Sequence, residues 1–216
     1  MDMELIVGLG NPEPEHSWAR HNMGKETVNE LKRIWFSDAK WELDKKLGAE
    51  ICKSSVESLQ TVFGEAARGA SRLPSDSGID LPAVSGVVLA KPLCFMNEIG
   101  GVVKKLVEYY DVGLKNVVIV YDELDLSVGE YKLVFDRGSH IHNGILSVEN
   151  HLKSKSFWHL RVGVRDPKIP DSVQKTGRDP SKYVLHKLSS GDKKKILKMI
   201  NESITAELNS FLSKKI

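Results

Sequence analysis

Leu5-Ile6-Val7-Gly8-Leu9-Gly10-Asn11-Pro12 is a short apolar run closed by two glycines and an Asn-Pro pair, the pattern of a buried strand that ends in a tight loop. From Met23 onward the apolar residues Val28, Leu31, Ile34 and Trp35 fall at helical spacing, which predicts an amphipathic helix packed on one face of a sheet. The same grammar recurs along the chain. Residues 41–43, 47–52 and 59–63 read as short strands, and residues 87–90 as a buried one. Val102, Val103, Leu106, Val107 and Tyr110 share a helical face, and the β-branched run at 117–121 ends at a carboxylate, Asp122. Strands near 131–135 and 160–165 flank a helix at 143–152, and a last amphipathic helix carries Ile196, Met199, Ile200, Ile204, Leu208 and Leu212. Strands alternating with helices predict an α/β fold: a single domain over residues 1–216 with a mixed, mostly parallel central sheet flanked by helices. Ligands of such sheets bind beyond the carboxyl ends of the strands. Asn11, Asn97 and Asp122 stand at or just past those ends.

The 216 residues are 41% hydrophobic and 28% charged, enough apolar material for a continuous core and incompatible with a disordered chain. Residues 64–85, rich in Gly, Ala, Ser, Pro and Asp and without periodicity, are expected to form a flexible insertion. Lys and Arg number 31 against 29 Asp and Glu, a net charge of +2, so the whole-chain charge makes no case for nucleic acid. Its distribution is uneven, with 14 basic against 21 acidic residues up to 130, 11 against 5 over 131–187 and 6 against 3 beyond. The basic C-terminal half suits a polyanion, although lysines on a solvated face give the same count. Cys52 and Cys94 have neither disulfide-framework nor zinc spacing and point to a reducing compartment. The start, Met1-Asp2-Met3-Glu4, fits neither a secretory signal nor an Arg-rich transit peptide, and no run of 18 apolar residues predicts a membrane helix. A cytoplasmic location is expected, with a mitochondrial one left open.

Gly8-x-Gly10 after a first strand invites a dinucleotide-binding reading, hence a nicotinamide-dependent reductase. The third glycine position holds Glu13, however, and Pro12 removes an N–H that a phosphate needs. Other segments are more specific. Gly8-Leu9-Gly10-Asn11-Pro12 is followed by Arg20-His21-Asn22 and Gly24, then by Lys91-Pro92, Phe95-Met96-Asn97, Asp122-Glu123-Leu124-Asp125 and His142-Asn143-Gly144. Leu160-Arg161-Val162-Gly163-Val164 and Tyr183-Val184-Leu185 complete the series. In this order and spacing the segments resemble the bacterial-type peptidyl-tRNA hydrolase family, over all of the chain but the insertion.

The resemblance implies an enzyme that hydrolyses the ester between peptide and tRNA, releasing both, and so recycles peptidyl-tRNA from stalled ribosomes. Such chemistry needs an activated water, donors for the oxyanion and positive charge for the RNA backbone. His21 is the expected general base and Asp122 the carboxylate that orients it. Asn11, Asn97, Asn143 and His142 are expected to line the substrate site, with Phe95 stacking on the terminal adenine unless it and Met96 belong to the core. Lys132 and Arg161 match the family's phosphate-binding positions, and Lys153, Lys155 and Arg165 extend the patch. No Ser or Cys nucleophile stands beside the histidine, so water attacks directly. Neither metal, cofactor nor obligate protein partner is expected, and the enzyme is expected to act as a monomer on the acceptor end.

Competing readings attach to the same residues. Asn97 and Asn143 precede helices and suit N-caps, Asn11-Pro12 is an ordinary turn pair, Asp125 suits a cap, and His140-x-His142 with Asp122 or Asp125 would make a metal set. Ile141 stands where the family commonly has glycine, and a backbone with φ > 0 there would be strained. The runner-up function is a noncatalytic RNA-binding protein on the same fold, as in organellar relatives that assist intron splicing.

Overall fold

A computed structural model describes residues 2–12, 14–55, 84–138, 141–166 and 180–213. Among them seven strands form one sheet: β1 (Asp2–Gly8), β2 (Glu42–Asp44), β3 (Ala49–Ser55), β4 (Val84–Pro92), β5 (Val117–Ser127), β6 (Tyr131–Phe135) and β7 (Trp158–Arg165), in the order β2-β3-β4-β1-β5-β7-β6. The central strands β4, β1, β5 and β7 are parallel, while β2, β3 and β6 add antiparallel edges. A parallel centre covered on both faces explains why these strands read as unbroken apolar runs rather than as alternating ones.

The helices are α1 (Met23–Trp35), α2 (Ile99–Tyr109), α3 (Asn143–Leu152), α4 (Pro180–Leu185), α5 (Ser190–Met199) and α6 (Thr205–Ser213). One face of the sheet, through Ile6, Leu89, Val120 and Leu160, packs against α1, α5 and α6. The other, through Leu5, Val7, Ala90, Ile119 and Tyr121, packs against α2 and α3. The neighbours β1 and β4 therefore send their following helices to opposite faces, which opens a crevice at their carboxyl ends.

Gly8 and Gly24 serve this crossing. A Cβ on Gly8 would run into the Gly24 carbonyl, and one on Gly24 into the backbone of Leu9 and the Val120 carbonyl. Only glycine lets the start of α1 settle so close to the end of β1, where Lys25 N–H donates to Leu9 O at 3.1 Å and Leu9 N–H to Val120 O at 2.9 Å. The glycines of the first loop thus have a packing role, and the dinucleotide reading loses its main support.

The last helix differs from the single amphipathic helix read from the sequence, because a π turn at Ile200–Ile204 joins α5 to α6. Ile196, Ile200, Ile204, Leu208 and Leu212, all fully buried, repeat every four residues. On a regular α-helix that repeat drifts about 40° per step around the axis. The wider π turn takes up the drift and keeps the row on the sheet. The predicted strand at 59–63 and most of the predicted insertion at 64–85 lie outside the described residues, and residues 84–85 begin β4. No helix among the described residues is long and apolar enough to cross a membrane.

Candidate active site

The crevice gathers side chains from five elements. Asn11 follows β1, His21 sits in a 3₁₀ turn (Arg20–Asn22) ahead of α1, and Phe95, Met96 and Asn97 follow β4. Asp122 is on β5, and His142 and Asn143 open α3.

At the centre Asp122, buried, accepts from His21 Nδ1 at 3.0 Å (Oδ1) and 3.1 Å (Oδ2), and from His142 Nε2 at 3.0 Å (Oδ1). The rings of the two histidines are 4.8 Å apart. Ile145 N–H donates to His142 Nδ1 at 3.3 Å, which places the His142 proton on Nε2, toward the carboxylate. The Asp122 hydrogen bonds likewise place the His21 proton on Nδ1 and leave Nε2, without a hydrogen-bond partner among the described residues, as a lone-pair acceptor. Burial alone would push the Asp122 carboxyl up, but the two imidazoles that donate to it hold it well below the usual carboxylate range. For His21 burial alone pushes the pKa down, yet the Asp122 charge and hydrogen bond outweigh it and the net shift is upward from 6.5. With 12% of its side chain exposed, His21 can meet a water while remaining fixed.

His21, Asp122 and His142 could also be drawn as metal ligands, since their ligand atoms lie within 4.8 Å of one another. Their proton positions instead describe a hydrogen-bonded network in which both imidazoles donate to the shared carboxylate. Asp125 is exposed and stands outside this cluster, and His140 lies outside the described residues.

Asn11 is buried, and its Oδ1 accepts from Met96 N–H at 3.0 Å. That bond fixes the orientation of the amide and leaves Nδ2 as a donor without a partner among the described residues. Its backbone is clamped as well: Asn11 N–H donates to Asn22 Oδ1 at 2.9 Å, and Asn11 O accepts from Asn22 Nδ2 and Lys25 Nζ, each at 3.0 Å. The loop is more than a turn pair. Asn97 is exposed and caps nothing with its side chain, since neither the 3₁₀ turn Met96–Glu98 nor α2 has a side-chain N-cap. Its carbonyl accepts from Ser147 Oγ at 2.9 Å, and that oxygen in turn accepts from Gly100 N–H at 3.1 Å. Asn143 is exposed too, and the cap of α3 is the His142 ring. Both cap readings are therefore corrected, and both amides remain available to a ligand. Phe95 is 56% exposed whereas Met96 is buried, so of this pair only Met96 belongs to the core. Gly144 lets the start of α3 lie against Met96, whose Sδ a Cβ there would displace.

The strain expected at Ile141 is not found. Its backbone is not among those with φ > 0, and its side chain is 68% exposed. Glu13 lies outside the described residues.

Lys132 and Arg161 are cross-strand neighbours on one face of β6 and β7. Lys132 is exposed, but the Arg161 guanidinium is committed to buried Glu123, with Nε and Nη2 donating to Oε2 at 2.9 and 2.6 Å. Lys155 pairs with Glu149 at 3.5 Å, Arg165 donates to Ser127 Oγ at 3.1 Å, and Lys153 closes α3 with φ of 53°. Of this patch, Arg161 and Lys155 are thus engaged by carboxylates.

Sequence reasoning missed three supporting residues: Asn22, Lys25 and Arg20. Arg20, also buried, donates to Val164 O and to the 186 and 187 carbonyls at 3.3–3.4 Å and lies 4.4 Å over the Tyr183 ring. It ties the turn carrying His21 to β7 and α4, which gives the Tyr183-Val184-Leu185 segment its purpose. Buried polar side chains inside a motif were the available signal.

Comparison with known proteins identifies the family. A model of the peptidyl-tRNA hydrolase family matches residues 5–216. Peptidyl-tRNA hydrolase of Geobacillus thermodenitrificans is 30% identical over 198 residues, covering 92% of this chain and 87% of the relative. That of Mycolicibacterium smegmatis is 31% identical over 204 residues, covering 94% and 87%. Among solved structures, a point mutant of peptidyl-tRNA hydrolase from Acinetobacter baumannii superposes with a TM-score of 0.72 at 24% identity, over 96% of this chain and 87% of that one. A 1.00 Å structure of peptidyl-tRNA hydrolase from the same organism gives 0.68 at 23%, over 96% and 91%, and both bear on the fold alone. A crevice at the carboxyl ends of β1 and β4, a histidine steered by a buried carboxylate and a match over nearly the whole length lead to one assignment: this chain belongs to the peptidyl-tRNA hydrolase family.

Proposed function

We propose that the chain hydrolyses peptidyl-tRNA by general-base activation of water, as one domain acting as a monomer on the acceptor end, in the cytoplasm where ribosomes generate the substrate. The observation that carries this reading is the Asp122–His21 pair, which leaves an acceptor nitrogen, His21 Nε2, at a partly open position. Nε2 takes a proton from water as the water oxygen attacks the ester carbonyl carbon, and Asp122 stabilises the resulting imidazolium. Asn11 Nδ2 donates to the oxyanion. On collapse the ester C–O bond breaks, the ribosyl oxygen takes the proton from His21 Nε2, and tRNA leaves with the peptide as its carboxylic acid, which then loses its proton to solvent to become the carboxylate. The exposed amides of Asn97 and Asn143 suit donation to and acceptance from the peptide, with His142 beside them sharing the carboxylate. Phe95 offers a face to the terminal base and Lys132 a charge to a phosphate, while Arg161, with Nε and Nη2 on Glu123, has Nη1 left to offer one.

Burial pushes the Cys94 and Cys52 thiols up, leaving little thiolate for nucleophilic attack, so water remains the attacking group. Release of peptide from an N-acetylated aminoacyl-tRNA by the purified chain tests the reading. In ¹⁸O-labelled water under single turnover one label enters the product carboxylate. A chain that binds the RNA without cleaving it would fit the noncatalytic alternative instead.

A further inference from the structure

Lys25 is a buried cation in the neighbourhood of the crevice. Its side chain is 2% exposed, and removing an ammonium from water is expensive unless something compensates. It also lies in the first turn of α1, where the helix dipole disfavours a cation. Packing alone does not call for it: its stem lies under Gly10, where a Cβ would approach Lys25 Cγ and Cδ at 3.0 and 2.9 Å, and a methionine fills that space equally well. The charged end donates to Asn11 O at 3.0 Å, on the same oxygen that accepts from Asn22 Nδ2.

We propose that Lys25 is a positioning residue for the hydrolysis: its buried ammonium fixes the Asn11 main chain and thereby aims the Asn11 amide nitrogen at the developing oxyanion. The inference rests on the hydrolytic reading above. Asn11 N–H and O are held from the start of α1, and Oδ1 is held by Met96 N–H from the loop after β4. With both ends tied, Nδ2 is left one direction in which to donate. The same short segment carries His21, so the base and the oxyanion donor are set by one rigid piece of backbone. Preorganised donors are effective because they need no rearrangement when the charge appears, and a displacement of about 1 Å costs about 10²-fold in rate.

A double-mutant cycle on N-acetylated aminoacyl-tRNA tests this, comparing wild type, Lys25→Met, Asn11→Ala and the double variant, each checked for thermal unfolding. The expected result is a fall in kcat of about 10- to 100-fold for Lys25→Met, with KM within about twofold and with less than about twofold further loss when the change is made in the Asn11→Ala background. A kcat within twofold of wild type, or an equal loss in both backgrounds, overturns the role of Lys25 while the hydrolytic reading stands. Absence of hydrolysis by the wild type overturns both. If Lys25→Met does not fold, Lys25→Gln, which keeps a neutral donor, is read through the same cycle with the same criteria.

Discussion

Replacing Asp122 by Asn changes one atom and disturbs the site in three ways. The lost negative charge is the main cause raising the His21 pKa above 6.5, so burial prevails in the variant and the pKa falls below 6.5. An amide also has one acceptor where the carboxylate had two. Oδ1 accepts from both His142 Nε2 and His21 Nδ1, each at 3.0 Å, but the new Nδ2 stands where Oδ2 also met His21 Nδ1 at 3.1 Å. Two facing N–H groups repel, so His21 shifts its proton to Nε2 and loses the lone pair that takes the water proton. Finally, the imidazolium formed in the transition state loses its counter-charge. A wrong tautomer and a lost counter-charge together are worth about 10²- to 10⁴-fold in kcat, about 2.7–5.4 kcal/mol of barrier. Steady-state release of peptide from N-acetylated aminoacyl-tRNA across pH 5–9 reads both effects. The wild type is expected to lose activity as pH falls through a His21 pKa above 6.5, and Asp122→Asn to run about 10²- to 10⁴-fold slower with that limb moved to lower pH. A variant within about threefold of wild type, or one with an unmoved acid limb, would mean that Asp122 neither steers the His21 ring nor holds its proton.

Other expectations separate structural from chemical roles. The raised His21 pKa means that the ion pair contributes stability below pH 6.5 which is lost as pH rises through the folded His21 value. The depressed Asp122 pKa contributes stability present above about pH 4 and lost as pH falls. Destabilisation by Asp122→Asn, measured by urea unfolding, should therefore be larger at pH 5.5 than at pH 8.5, and an equal cost at both would contradict the pairing. Ser147→Ala leaves the Gly100 N–H without its partner and should cost about 1–3 kcal/mol; an unchanged urea midpoint would remove Ser147 as the tie between α3 and the Asn97 loop. Arg161→Ala leaves buried Glu123 without its cationic partner and should cost about 3–5 kcal/mol, whereas Lys132→Ala should raise KM and flatten its salt dependence with little effect on stability. The reverse pattern, Arg161→Ala stable but weak in tRNA binding, would restore Arg161 as a phosphate ligand.

The fold and the cluster of His21, Asp122 and His142 were legible because their signals are local. Buried strands, helical faces and the segments around His21, Asp122 and His142 are contiguous in sequence, and tight loops place such segments at strand ends. What was not legible depends on partners fixed only by register. Arg161 looked free because its bond to Glu123, 38 residues away in the chain, arises only when β5 lies beside β7 with Tyr121 opposite Arg161. Asn143 looked like a cap because asparagine commonly is one, yet the ring before it already takes the Ile145 N–H. Nothing in the sequence marks Lys25, and only the folded loop shows its ammonium on the Asn11 carbonyl. The π turn at Ile200–Ile204 was hidden because a four-residue repeat looks helical until its drift is followed over several turns.

The mechanism depends on one imidazole, and removing that ring probes it with the fewest intervening steps. Peptide release from N-acetylated aminoacyl-tRNA by His21→Ala, in a preparation with wild-type circular dichroism and unfolding temperature, should fall by at least about 10²-fold, the range for loss of a general base. Turnover at the wild-type rate by that folded variant would contradict the assignment of His21 as the group that deprotonates water.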